Sequence, residues 1–339
     1  MTAELAPLSL REAGEEDFAV VVIGRNEGER LEACLRSLGA LSGRTVYVDS
    51  GSTDGSSALA RRMGAEVVEL DMRRPFTAAR ARNTGWRHAL RAWPDIRFVQ
   101  FVDGDCQVEP GWLDAGRQFL DERPEVAVVF GRRRERFPGK TLFNALCDRE
   151  WDGEAGQSLE CGGDVLVRAC ALHQAGGYTD SLIAGEEPEL CVRLRARGWQ
   201  IWRLDREMTL HDAAMTRLNQ WWRRNKRAGH AFAEVSTLHW RSPHGIWRRS
   251  LGRALAWGAL LPLATIAAGT LHPAAYAILL VYPLQVIRLA ERERRAGRSV
   301  HPWRGALLDV GGKFAECAGA LTFFANRMVG RRQRIIEYK

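Results

Sequence analysis

FAVVVIGRNEGERLEACLRSLGALSGRTVYVDS, residues 18–50, decides the architecture. Residues 18–24 are β-branched and nearly all apolar, which reads as a short buried strand. Leu31, Leu35 and Leu38 then recur at helical spacing on one face. Residues 44–50 (RTVYVDS) give a second strand that ends in the turn GSTDG. Outward from this unit the alternation continues. A helix is expected over Ser56–Met63, a strand over Glu66–Leu70 and a helix over Thr77–Ala92. Strands are expected over 97–102, ending at Asp103-Gly104-Asp105, and over Val126–Gly131. Such alternation predicts an α/β fold: a Rossmann-like mixed, mostly parallel sheet with flanking helices. Ligands of such sheets bind outside the carboxyl ends of the strands. Asp49 and the pair Asp103/Asp105 fall at two such ends, so they are expected on one rim.

The chain has 339 residues, enough for one large α/β domain plus an appendage. Apolar residues make up 46%, so a large core can be buried, and the net charge is +8. That excess suits a polyanionic partner such as nucleic acid, anionic lipid or a phosphorylated small molecule. The seven cysteines are scattered, without a CxxC pair. This pattern fits free thiols in a reducing compartment and excludes a zinc knuckle. MTAELAPLSLREAGEEDF at the N-terminus is acidic and lacks an apolar h-region, so no secretory signal is expected and this part should stay in the cytoplasm. The division expected is an extension over 1–17, a catalytic domain over 18–230 and a helical, membrane-associated region over 231–339.

The third part is marked by a shift in composition. Arg223, Arg224, Lys226, Arg227, Arg241, Arg248, Arg249 and Arg253 form a basic run with interleaved aromatics. From Ala254 to Ile287, 34 residues then pass without Asp, Glu, Lys or Arg, and RLAERERRAGR follows at 288–298. One straight helix of that length would reach about 51 Å, against a hydrocarbon core of about 30 Å. Pro262, Pro273 and Pro283 interrupt the stretch. A tight helical hairpin or a re-entrant, interfacial segment is therefore expected, both ends cytoplasmic because both are basic. The alternative is a pair of buried core helices. Residues 305–325 contain Asp309, Lys313 and Glu316, which argues for an amphipathic surface helix. Because the Arg clusters flank the apolar stretch, a membrane surface is the expected partner and nucleic acid is not.

Asp103-Gly104-Asp105 carries the first chemical signal. In extended backbone, residues i and i+2 point to one side, so two carboxylates at a strand end could hold Mn²⁺ or Mg²⁺ through oxygen ligands. Taken alone, such a triplet is a weak signal, since most copies are solvated turns. Asp49 opens DSGSTDG, a small polar loop suited to a base and ribose, with Ser52 and Asp54 as candidate contacts; the plain alternative is a helix-capping turn. Arg25 and Glu27 end the first strand on the same rim. Arg80 and Arg82 on the helix 77–92, with Asn83 beside them, could meet a diphosphate; the plain alternative is a solvated helical face. In AGEEPELCVRLRARGW (184–199), Pro188 suits the first helical position. Glu186 and Glu187 then stand at the helix start, where a carboxylate could accept a proton or simply compensate the dipole. His211 offers a further metal ligand.

Together, VVIGRNEGERLEACLRSL, VYVDSGSTDGS, ARARNTGW, FVDGDC and GGYTDSLIAGEEPELCVRLRARGW, in that order, resemble the family 2 glycosyltransferases of GT-A fold, of bacterial envelope or exopolysaccharide type. The resemblance covers roughly residues 18–230. It implies a nucleotide-sugar donor, a divalent metal and a single inverting displacement. Glu27 and Asp49 would contact the nucleoside, Asp103 and Gly104 would lie near the ribose and diphosphate, and Asp105 would hold the metal. Glu187 matches the position of the family's usual catalytic Asp, with Glu186 as the alternative. Gly162, Gly163 and Asp164 match a region that meets the acceptor. QWWRR at 220–224 keeps Gln220 and Arg223 of a processive motif but lacks its final Trp. This favours transfer of one sugar to a glycan or lipid-linked acceptor, with the catalytic domain at the cytoplasmic face of the inner membrane. Two other classes compete: nucleotidyl transfer to a sugar phosphate, and a non-catalytic membrane-bound binding protein.

Overall fold

The computed structural model describes residues 15–297 and 301–331; most of the expected 1–17 extension lies outside them. The N-terminal half runs β1 (Phe18–Gly24), α1 (Glu29–Ser37), β2 (Thr45–Asp49), α2 (Ser56–Arg62), β3 (Glu66–Glu69), α3 (Ala78–Ala92), β4 (Phe98–Asp103) and β5 (Cys106–Val108). It continues with α4 (Trp112–Glu122), β6 (Val126–Glu135), α5 (Leu142–Glu150), β7 (Gly156–Ser158), β8 (Val165–Arg168), α6 (Ala169–Gln174), α7 (Glu186–Arg195) and β9 (Gln200–His211). The strands form one mixed sheet in the order β3-β2-β1-β4-β8-β6-β9-β5, with β7 also paired to β9. β1 to β4 are mutually parallel, and β8 enters antiparallel between β4 and β6.

Period-two alternation sorts the sheet's side chains onto two faces. Ala19, Val21, Val46 and Val48 belong to one core cluster, Val20, Val22 and Tyr47 to the other. α3 starts at Thr77, whose hydroxyl accepts from the Arg80 N–H at 3.1 Å. It lies close on the sheet: a Cβ at Gly85 would come within 2.3 Å of Val21.

Two boundaries differ from expectation. β6 runs through Glu135 instead of ending at Gly131, because its pairing with β9 continues past the apolar residues. Pro188 occupies the third position of α7, not the first, which leaves Glu186 and Glu187 as the opening residues.

α8 (Leu218–Leu238) runs unbroken through residue 230. Beyond it stand α9 (Arg248–Leu255), a widened π turn (Ala256–Leu260), α10 (Leu261–Leu271), a 3₁₀ segment (Pro273–Leu280), α11 (Val281–Ala296) and α12 (Pro302–Met328). Pro262 has no N–H to return to the helix, which accounts for the loosened turn before it. The uncharged stretch is thus a helical hairpin that breaks at His272. Its arms, Arg248–Leu271 and Pro273–Ala296, are each 24 residues, long and apolar enough to cross a membrane by length and composition. Only 17% and 6% of their most apolar windows are buried, so they are not core helices of the domain.

α12 departs from the surface helix expected over 305–325, because one of its faces is packed against protein. Its buried residues include Ala306, Val310, Ala315 and Ala320. Of its charges, Asp309 docks the helix on α5 by pairing with Arg149 at 2.9 Å, while Lys313 and Glu316 pair with each other along α12 at 2.6 Å. α12 crosses α8 at two glycines. A Cβ at Gly229 would meet the Glu316 carbonyl at 1.9 Å, and one at Gly319 the Lys226 carbonyl at 1.9 Å.

Candidate active site

The loops after β1 and β2 are stitched to each other at the rim. Asn26 takes a left-handed backbone (φ 56°), which asparagine tolerates. Its N–H donates to Ser52 Oγ at 2.9 Å, and its carbonyl Oδ1 accepts from the Thr53 N–H at 2.8 Å. Asp54 Oδ2 accepts from the Gly28 N–H at 3.0 Å. Although burial opposes it, bonds from Ser56 and Gly28 hold the Asp54 carboxyl below its ordinary range. Buried Asp49 accepts from the Gly51 and Ser52 N–H groups at 3.0 and 2.8 Å and from the Tyr47 hydroxyl at 3.1 Å. Glu27 pairs with Arg30 at 2.8 Å and lies against two glycines. A Cβ at Gly24 or Gly104 would approach its Cγ to 3.1 or 3.2 Å. Glu27 therefore bridges the first strand's end and the acidic turn. Arg25 stacks on Phe76, 5.0 Å from ring centre to guanidinium.

The two aspartates of the acidic turn face different partners. β4 ends at Asp103 and the chain turns over Gly104, whose N–H donates to Ile23 O at 2.8 Å, so pleat alternation does not carry through to Asp105. Asp103 accepts from Arg82 at 2.8 Å and Arg133 at 3.2 Å. Its N–H donates to Asp164 Oδ1 at 2.9 Å. Asp164, fully buried, also accepts from Thr209 Oγ1 at 2.7 Å and pairs with Arg133 at 2.7 Å, so its carboxylate braces the acidic turn from beneath. Asp105 points instead to His211, Oδ2 to Nε2 3.4 Å.

Among the described residues, two groups bring ligand-capable atoms within 4.8 Å: Asp105, Cys106 and His211, and Asp103, Cys106 and Asp164. Burial, then Asp164, pushes the Cys106 thiol well up, so it stays protonated. The arginines already neutralise Asp103 and Asp164. This leaves Asp105 with His211 as the oxygen–nitrogen pair able to hold a divalent cation. His211 Nδ1 is buried without a hydrogen bond, 3.7 Å from Glu135 Oε2, while the ring packs edge-on to Trp151 at 4.9 Å. A carboxylate behind the second ring nitrogen is the usual support of a metal-binding histidine. Glu135 is itself held by Asn144 at 2.8 Å and by the Ala213 N–H at 3.1 Å. Burial would raise the Glu135 carboxyl, but His211, Asn144 and backbone donors outweigh it and keep it low.

Arg82 joins this turn to α7. Its side chain is 4% exposed and pairs with Asp103 at 2.8 Å, Glu186 at 2.9 Å and Glu187 at 2.7 Å. It is thus enclosed by carboxylates and not free for a diphosphate in this arrangement. Gly163 makes room for it: a Cβ there would meet Arg82 Nη2 at 2.5 Å and Asp103 Oδ2 at 3.1 Å. Gly162 has open space around it. Gly185 opens α7 in a left-handed conformation (φ 79°), where a Cβ would strike Trp247 at 2.9 Å. Burial pushes the Glu187 carboxyl up to about 7, with Glu186 and Asp103 adding to the rise and Arg82 opposing it. Asn83 lies outside this set. Its amide donates to Tyr178 O and Asp180 and accepts from the Tyr178 N–H and Trp86 Nε1, which uses all four of its capacities.

Arg133, Glu135 and Trp151 escape the sequence reading. Arg133 and Glu135 share an i, i+2 relation on β6, a signal hidden inside the charged run GRRRE.

Residues 19–159 match the family model described as Glycosyl transferase family 2. The chain is 26% identical over 199 residues to the Succinoglycan biosynthesis protein ExoA of Rhizobium meliloti, covering 55% of this chain and 60% of that protein. It is also 26% identical over 238 residues to the Pre-mycofactocin glycosyltransferase of Mycobacterium tuberculosis, covering 66% of this chain and 48% of that one. The chain thus spans about half to three-fifths of the curated relatives it matches. In fold it is similar to the mannosyltransferase PcManGT of Pyrobaculum calidifontis, solved with GDP-Man and Mn²⁺, at a TM-score of 0.59 and 19% identity, covering 90% of this chain and 87% of that one.

Proposed function

We propose that this chain, a member of the family 2 glycosyltransferases, moves a sugar from a nucleoside-diphosphate donor to the hydroxyl of a glycan or lipid-linked acceptor, with inversion at the anomeric carbon. The observation that carries the reading is the convergence on Arg82 of Asp103 with Glu186 and Glu187. Two acidic motifs far apart in sequence then line one place, beside Asp105 and His211. The stitched loops of Asn26, Ser52 and Asp54, with Glu27 and Asp49 behind them, would receive the nucleoside. Asp105 and His211 would hold Mn²⁺ or Mg²⁺. That cation would neutralise charge on the departing diphosphate.

Glu187, poised near neutrality, takes the proton of the acceptor hydroxyl. The acceptor oxygen bonds to the anomeric carbon as the bond to the nucleotide's phosphate oxygen breaks on the opposite face. Arg82 orients both glutamates and keeps Glu187 from becoming too weak an acid. The acceptor approaches past Gly162 and Gly163, while Asp164 fixes the turn below. The relatives' names support a role in polysaccharide or glycoside synthesis. The exposed apolar hairpin supports work at a membrane, with the catalytic domain on the cytoplasmic side.

The test is a panel of nucleotide sugars offered to the purified chain with Mn²⁺, Mg²⁺ or chelator, followed by donor turnover. One donor should be consumed only with metal, and Asp105→Ala should abolish that turnover. Near-normal turnover in the variant overturns the assignment of the metal to Asp105.

A further inference from the structure

α9 shows two unlike faces. Leu251 packs with Ala233 of α8 and Ala320 and Phe323 of α12, and Ala254, one turn on, is also buried. On the other side Arg249, Gly252 and Arg253, followed by Ala256 and Trp257, line an open groove of about 580 Å³. The two arginines stand one turn apart, so their guanidinium groups can converge on one ligand. A Cβ at Gly252 would meet nothing within 4 Å, so a ligand has room to approach the helix between them.

Neither arginine forms an ion pair among the described residues. Arg249 has no partner among the described residues, and Arg253 makes only a long 3.4 Å bond to Ser250. Glu316, whose carboxylate also feels Arg253, is already paired with Lys313 at 2.6 Å. By contrast, Arg294 and Arg295 on the second arm both pair with Glu291 at 2.8 Å.

The place of the groove gives its meaning. It lies where the polar part of the first arm meets the apolar part. Directly beyond it, Leu260, Leu263, Ile266 and Leu271 are all more than half exposed. Trp257 packs on Tyr282 of the second arm, ring centres 5.6 Å apart, so the aromatic floor ties the two arms together at this level. Aromatic rings and arginines gather at the headgroup level of membranes, and the guanidinium fork matches phosphate oxygens in pairs.

We propose that Arg249 and Arg253, with Gly252 and Trp257, form a seat for the phosphate of an anionic glycerophospholipid at the collar of the hairpin. The seat rests on the reading of the hairpin as membrane-inserted, but it adds a lipid preference that insertion alone does not require. Apolar burial would hold the hairpin in any bilayer. Phosphatidylcholine carries the same phosphate but offsets it with its own cation, so the paired arginines favour the lipid whose phosphate is not offset.

The full-length chain, diluted from detergent, is offered to vesicles of phosphatidylcholine alone or mixed with phosphatidylglycerol, and co-flotation is read against lipid concentration. The wild type should float with both and prefer the anionic vesicles by about 10- to 30-fold, from the attraction of two arginines at an anionic surface. The double variant Arg249→Gln/Arg253→Gln should float equally well with phosphatidylcholine and lose most of that preference. Arg62→Gln/Arg91→Gln removes the same charge from exposed positions on α2 and α3 and should keep it. A double variant that retains the preference overturns the seat, as does a control that loses as much of it, since diffuse net charge would then be the cause. No flotation of the wild type with either vesicle overturns the inserted hairpin itself.

Discussion

Arg82 sets one positive charge against three carboxylates, and Arg133 supplies one more against Asp103 and Asp164. The cluster therefore keeps an acidic excess, which adds to burial in raising Glu187. Replacing Arg82 by Met should strand the buried Glu186 and Glu187, while Asp103 keeps Arg133, and cost about 3–5 kcal/mol, read as a lower denaturation midpoint. Arg82→Lys should fall between, because it keeps the charge but not the planar fork. Glu187 has its carboxyl at about 7. As a base it works only when deprotonated, so turnover should climb with pH through about 7 and level off above it. Glu187→Gln should lower kcat by about 10²- to 10⁴-fold, flatten that profile and leave donor affinity largely intact. If the loss and the flattening follow Glu186→Gln instead, the base is the neighbouring residue. The acidic members of this cluster are legible in the sequence, since each sits at a strand end or a helix start. Arg82's partners are not, because an ion pair between α3 and α7 leaves no local pattern.

At the scale of elements, apolar alternation finds β1, β2, β4 and the first half of β6, and misses what polar residues continue. The RRRE end of β6 is strand because β9 pairs with it, and no local preference for strand is visible there. With that extension go Arg133 and Glu135, which is why the support behind His211 is invisible before folding. α12 is misread for a related reason. Asp309, Lys313 and Glu316 look like a solvated face, yet Asp309 pairs with Arg149 of α5 and Glu316 is buried with Lys313 as its partner on the same helix. The close crossing of α8 and α12 depends on the absence of side chains at Gly229 and Gly319. Gly319→Val would drive extra carbons into the Lys226 carbonyl, where even a Cβ stands at 1.9 Å. Overpacking of this kind costs about 1–3 kcal/mol and occasionally more. The variant should melt lower and be cut by protease between α8 and α12 faster than wild type. Gly258→Ala tests the separate approach of the π turn to Cys317 of α12, whose Cβ would stand 2.3 Å from the new one.

For the whole molecule, the catalytic sheet and the apolar hairpin are joined through α8 and α12, so the active site is held at a set distance from whatever the hairpin enters. The charge-free part of the first arm, Ala254 to Leu271, is 18 residues and reaches about 27 Å at helical rise, close to the hydrocarbon core of about 30 Å. The turn at His272-Pro273 is therefore the point farthest from the catalytic domain along the arms. Leu271, 88% exposed beside that turn, is the residue whose surroundings distinguish lipid from water. In a Cys170→Ser background, which removes the exposed native thiol, Leu271→Cys should resist a membrane-impermeant maleimide supplied from the catalytic side of sealed vesicles and react once detergent is added. Rapid labelling from that side in intact vesicles would mean that the hairpin lies in water, and the enzyme would then have to meet its acceptor without entering the bilayer.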